Sequence, residues 1–196
     1  MGRAKDEGNI MTTEECVRQI LLNEGEDVTR EGLLKTPERV AKAMKFLLQG
    51  YNQNPDDAVG EGIFHEECNH MVIVKDIEVY SLCEHHMIPF YGRCHIGYIP
   101  HGKVFGVSKL ARLVDCFSRR LQLQERLTQQ IAAYIKQKVN AEGVGVVMEC
   151  HHLCMMMRGV EKQNSCMVTS AMLGNFLRSP ATRSEFLRLI GSGNAD

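Results

Sequence analysis

Cys83-Glu84-His85-His86 and His151-His152-Leu153-Cys154 are the two fragments that most restrict how this chain can fold. Each sets a cysteine close to imidazoles, and a fold that joins them offers three or four ligands to one Zn²⁺. Two cysteines and one histidine leave a position open for water, the pattern of a catalytic rather than a closed zinc site. The chain between the fragments is too long for a compact zinc finger, so the ligands must meet through the tertiary fold. Cys83 and His86 are two residues apart, a normal reach for two ligands on one turn, whereas His85 and His86 are adjacent and do not aim at the same ion. If residues 150–154 stay extended, alternation puts Cys150, His152 and Cys154 on one side, with His151 and Leu153 on the other. Cys154 is then the third ligand, and His152 lies over the same space as a proton-transfer group. Cys150 is read as a buried structural thiol. The alternative is a closed structural site with Cys150 or His152 as fourth ligand, whose metal holds the fold together.

With 196 residues the chain can bury a real core. The net charge of −1 gives no global electrostatic case for nucleic acid or an anionic membrane as partner. No run approaches the ~20 apolar residues of a membrane span, and MGRAKDEGNIMTTEE lacks the apolar core of a signal peptide. A cytoplasmic location is expected, and the eight scattered cysteines suit a reducing compartment in which most stay free. Cys94, Cys116 and Cys166 have apolar neighbours and are read as small hydrophobic residues.

Residues 1–10 are expected to be disordered, 11–68 to form an N-terminal helical extension, and 69–196 to be the catalytic domain. Thr12 or Thr13 caps a helix through Asn23, and Thr36-Pro37 starts a second. Residues 51–68 read as irregular. Strands are predicted over 71–80, 93–99, 144–149 and 165–172, with a turn at Pro100-His101-Gly102. Between them lie a helix capped by Ser108 and a second over 124–139; a last helix follows Ser179-Pro180. The order strand, strand, helix, helix, strand, strand predicts an α+β fold, a four-stranded antiparallel sheet with two core helices on one face.

Ser108-Lys109 with Arg112 puts two cations in the first turn of a helix, where free backbone N–H groups already favour anions. Glu125 can accept from a pair of N–H groups on a base, and Gln124 adds amide hydrogen bonds. Arg158 follows the second Cys/His fragment. Together these groups describe a purine and polyphosphate site beside a metal.

These residues stand in stretches that closely resemble GTP cyclohydrolase I: LKTPER (34–39), SLCEHHMIPFYGRCHIGYIP (81–100), GVSKLAR (106–112), RRLQLQERLTQQIA (119–132), HLCMMMRGVEKQNS (152–165), TSAMLG (169–174) and TRSEFL (182–187). The resemblance implies hydrolysis of GTP at C8, opening of the imidazole ring, loss of formate and rearrangement to 7,8-dihydroneopterin triphosphate, at the head of folate or other pterin synthesis. It implies the tunnelling fold (T-fold), in which subunit sheets close into a barrel, and a homodecamer of two pentamers with sites between subunits. Barrel closure would remove the sheet's exposed edges. By the same resemblance Cys83, His86 and Cys154 hold one Zn²⁺ per subunit, and His152 is the general acid/base. His85 and Ser108 assist ribose opening and rearrangement, and Glu125 with Gln124 anchors the guanine edge. Lys109, Arg112, Arg158 and a neighbouring subunit's Arg39 clamp the triphosphate. Nitrile-reducing relatives lack this Cys/His set and pyruvoyl-pterin synthases use three histidines, so the ligand types disfavour both.

Overall fold

The computed structural model describes residues 10–191, so the expectation of disorder over 1–10 falls almost wholly outside the described residues. The chain forms two compact units that divide between Leu47 and Leu48.

The first unit carries α1 (Thr13–Asn23) and α2 (Thr36–Leu47). Thr12 and Glu15 cap α1 reciprocally: the Glu15 N–H donates to Thr12 Oγ1 at 3.2 Å, and the Thr12 N–H to the Glu15 carboxylate at 2.7 Å. Thr36 is the first residue of α2 rather than its cap, and its hydroxyl donates to Gly32 O at 3.3 Å.

The second unit begins in a segment with more order than its sequence suggests. A short 3₁₀ turn (Gln49–Asn52) and α3 (Pro55–Val59), which Asn54 caps, precede β1 (Ile63–His65). Strand β1 pairs antiparallel with β4 (Lys103–Phe105), which directly follows the turn at which Gly102 takes a φ of 72°. The main elements are β2 (Val72–Cys83), β3 (Pro89–Ile99), α4 (Val107–Ser118), β5 (Leu121–Gln122), α5 (Gln124–Lys138), β6 (Gly143–His152) and β7 (Met167–Gly174). The sheet order is β5-β2-β3-β6-β7. The sheet is therefore five-stranded and mixed, not four-stranded and antiparallel. Strands β2, β3, β6 and β7 pair antiparallel, and β5 adds a parallel edge opposite Leu82 and Cys83. Two residues are too few to show any alternation, which is why β5 reads as a plain link between helices.

Helices α4 and α5 cover one face as predicted. Leu110, Leu113, Val114, Leu127, Ile131 and Ile135 are buried in one cluster with Val79, Cys94, Ile96, Val146 and Met148 of the strands. Part of the opposite face takes α7 (Asn175–Arg178) and α8 (Pro180–Gly191). Phe176 and Phe186 meet edge to face at 5.3 Å and lie on Gly97 and Gly145, where an added Cβ would fall within 3 Å of their rings. The two strands carry glycine there because any side chain would displace the aromatic pair. Ser179 caps α8, its hydroxyl accepting from Thr182 N–H at 3.2 Å. Ser179→Ala should cost about 1 kcal/mol in chemical denaturation.

Beneath this face the sheet is irregular. A bulge in β2 between Val74 and Ile77 turns Asp76 to a φ of 60°, and its N–H donates to buried His95 Nδ1 at 3.1 Å. Burial holds the His95 imidazole below its usual range, and Nδ1 must be bare to accept. As pH falls the unfolded chain takes the proton first. The contribution is full above the unfolded value of about 6.5 and is lost as pH drops through the lower folded value. Thermal melts should therefore show Tm falling with acidification, and His95→Gln, which keeps an acceptor for Asp76, should flatten that slope.

Candidate active site

The first Cys/His fragment sits where β2 turns into β3. Cys83 N–H donates to Ile88 O at 2.9 Å and Met87 N–H to Cys83 O at 2.8 Å, with Met87 at a φ of 56°. This tight reversal brings His86 Nδ1 to 4.0 Å from Cys83 Sγ. Three hydrogen bonds anchor the loop from outside. Glu84 N–H donates to Gln122 O at 3.1 Å, and the Glu84 carboxylate takes both guanidinium arms of Arg126 at 2.5 and 3.1 Å. This bidentate geometry orients as well as attracts.

The second fragment does not stay extended through Cys154. Strand β6 ends at His152, and α6 (Leu153–Met156) begins at once, so Cys154 reaches the site from a helical turn rather than by strand alternation. One ligand atom each from Cys83, His86 and Cys154 lie within 4.8 Å of one another. Two sulfurs and one imidazole nitrogen converging from two elements make a donor set that suits a borderline-soft cation such as Zn²⁺. Burial and the adjacent Cys83 push the Cys154 thiol up, an effect that a cation between the sulfurs offsets. Cys150 stays outside. It is fully buried opposite Gly92, and burial pushes its thiol up to about 12. His151 faces the other way, 5.8 Å from the Tyr91 ring and 3.3 Å from Ser165 O.

His152 is half-buried and clamped on two sides. Its ring stacks on Phe90 at 4.6 Å with 7° between planes, and Nε2 lies 2.9 Å from Gln124 Oε1. Burial lowers its basicity, while nearby Glu125 opposes that shift. Gln124, the first residue of α5, is buried; its amide nitrogen donates toward Met148 O, Met167 O and Thr169 Oγ1 at 3.0, 2.9 and 3.1 Å. Arg158 Nη1 lies 3.3 Å from His86 Nε2, and the His85 ring is edge-on to His86 at 6.1 Å.

One chain thus gathers Cys83, His85, His86, Gln124, Glu125, His152, Cys154 and Arg158, but not the remaining expected residues. Ser108 lies inside α4, whose cap position is Gly106, and the Lys109 stem packs beside Gly62. Arg112 lines a groove with Asn52, Asp57 and Asp115, and Arg39 belongs to α2 of the first unit. Among the described residues no hydrogen bond or ion pair links Ser108, Lys109 or Arg112 to the Cys/His cluster. Sequence reasoning missed Phe90, Glu84 and Arg126. Glu84 and Arg126 lie 42 residues apart and only the fold sets them face to face.

The profile of the family described as GTP cyclohydrolase I matches residues 13–191. GTP cyclohydrolase 1 of Hahella chejuensis is 60% identical over 171 residues, covering 87% of this chain and 91% of its own. GTP cyclohydrolase 1 of Chlorobium chlorochromatii is 59% identical over 90% of this chain and 79% of its own. For GTP cyclohydrolase 1 of Methylococcus capsulatus the figures are 59%, 88% and 94%. A solved structure of an archaeosine synthase QueF-Like, 21% identical with a TM-score of 0.45, covers 53% of this chain and 93% of its own and is too distant to bear on the fold. By the family match and by identity over most of its length, this chain belongs to the GTP cyclohydrolase I family.

Proposed function

We propose that the chain hydrolyses GTP at C8 and releases formate and 7,8-dihydroneopterin triphosphate, as its family membership indicates. The observation that carries this is the three-donor cluster of Cys83, His86 and Cys154 with a clamped His152 beside it. A zinc ion held by those three residues would supply Lewis acidity toward the water that attacks C8. His152 moves the proton on the N7 side of the purine, held in plane by Phe90. Glu125 at the start of α5 accepts from the paired N–H groups of the guanine edge. His85 and Ser108 serve the ribose steps, and Lys109, Arg112, Arg158 and a neighbouring subunit's Arg39 hold the triphosphate.

Every one of these residues except Arg39 falls in 69–196, which we take as the catalytic domain, with 11–68 as its helical extension. The separation of Ser108, Lys109 and Arg112 from the cluster within one chain favours a site completed by a neighbouring subunit. Unfinished sheet edges favour the same assembly: β5 covers β2 only at Leu82 and Cys83, and the outer side of β7 has no strand partner among the described residues. We therefore propose a T-fold barrel in a decamer of two pentamers. No helix of the described residues is long and apolar enough to cross a membrane. Eight free cysteines suit the reducing cytoplasm, where we place the enzyme.

The test is incubation of zinc-loaded protein with GTP, following formate release and pterin absorbance. No product from protein with its zinc intact overturns the proposal.

A further inference from the structure

We infer that Gln124 is a positioning residue that fixes the tautomer of His152, with the proton on Nε2 and the lone pair on Nδ1, rather than a contact to the guanine. This rests on the proposed role of His152 in proton transfer. The argument is one of donors and acceptors. The Gln124 amide lies with one end 3.0 and 2.9 Å from Met148 O and Met167 O. Carbonyl oxygens only accept, so that end must be the NH₂ group. The other end is then the oxygen, and it faces His152 Nε2 at 2.9 Å. An amide oxygen only accepts, so Nε2 carries the hydrogen, and in the neutral ring the bare nitrogen is Nδ1.

A closed circuit keeps the amide from turning over. Thr128 Oγ1 donates to Gln124 O at 2.7 Å and accepts from Thr169 Oγ1 at 2.7 Å, which leaves the Thr169 oxygen accepting from the Gln124 amide at 3.1 Å. Flipping the amide would set its oxygen against two carbonyl oxygens and two N–H donors against His152. The side chain is also fully buried, both of its N–H donors are taken up by β6 and β7 and its oxygen faces His152, so the amide keeps no free donor for a base. The neighbouring Glu125 is exposed and keeps that role.

The experiment is ¹⁵N magic-angle-spinning NMR of zinc-loaded protein labelled at histidine, at about pH 8, where a free imidazole is neutral. His152 is assigned by difference from His152→Gln. The expected result is a single tautomer, pyrrole-like at Nε2 and pyridine-like at Nδ1. Gln124→Met, which keeps volume and loses the acceptor, should show a mixture of tautomers. Its kcat for formate release should fall at least about tenfold, with a smaller change in KM. Thr169→Val, which leaves both carbonyl anchors in place, should retain the single tautomer. A wild-type spectrum with the proton on Nδ1 overturns the inference. So does a Gln124→Met protein with an unchanged His152 spectrum and a raised KM, the signature of a lost base contact. The spectrum needs no turnover, so it stands apart from the formate assay that tests the proposed function.

Discussion

Cys154→Ser protein should retain its fold, bind less than one zinc per subunit after dialysis against a weak chelator, and lose formate release by about a thousandfold or more. The expectation follows from geometry: the cluster supplies three donors, and among the described residues no fourth cysteine or histidine belongs to it. Cys150 is locked in the core. A hydroxyl is a poor substitute for a thiolate as a zinc ligand. A metal's stabilisation of developing charge is worth several kcal/mol, and each 1.36 kcal/mol is a factor of ten in rate. Retained fold is expected because Cys154 is only partly buried, packs at the margin of the hydrophobic core, and is replaced by a side chain of nearly its own size. Metal analysis and circular dichroism on the same sample separate the outcomes. Loss of the fold with the metal would instead identify a structural zinc site, and full activity without bound zinc would remove Cys154 from the ligand set.

His152→Ala should give the opposite signature: zinc retained, GTP still bound, and turnover down by about 10²–10⁴-fold. The ring makes no ligand contact within the cluster, since it is held by Phe90 and Gln124. Its removal leaves Gln124 Oε1 without a donor, a modest cost of about 1–3 kcal/mol in stability. Equilibrium binding of a slowly hydrolysed GTP analogue, measured beside kcat, distinguishes lost proton transfer from lost binding. Turnover within a few-fold of wild type would exclude His152 as the general acid/base.

Much of this was legible from the residues alone, because period and punctuation are local properties. Thr12, Pro37, Gly102 and Ser179-Pro180 mark their helices and turn, and the two core helices announce their buried faces by spacing. Non-local pairing was not legible. Strand β5 exists only because β2 lies beside it, and β1 only because β4 does. The same limit governs the site. Cys83, His86 and Cys154 were found by residue type, yet the reason given for Cys154 failed when β6 stopped two residues short of it. The partners of Gln124 are backbone carbonyls of β6 and β7, which no side-chain motif reveals.

The first turn of α5 has a further consequence. Gln124 grips the β6 and β7 carbonyls and His152, Arg126 holds the Glu84 loop, and the exposed Glu125 between them sets its charge toward His152. Immediately upstream, Leu121 and Gln122 are pinned to Leu82 and Cys83, so no slack loop can absorb a change in chain length. A helix turns by about 100° per residue. Inserting or deleting one residue at Leu123 would rotate both grips away together, and the Glu125 carboxylate with them. The enzyme should tolerate many substitutions on this helix and almost no shift in its numbering.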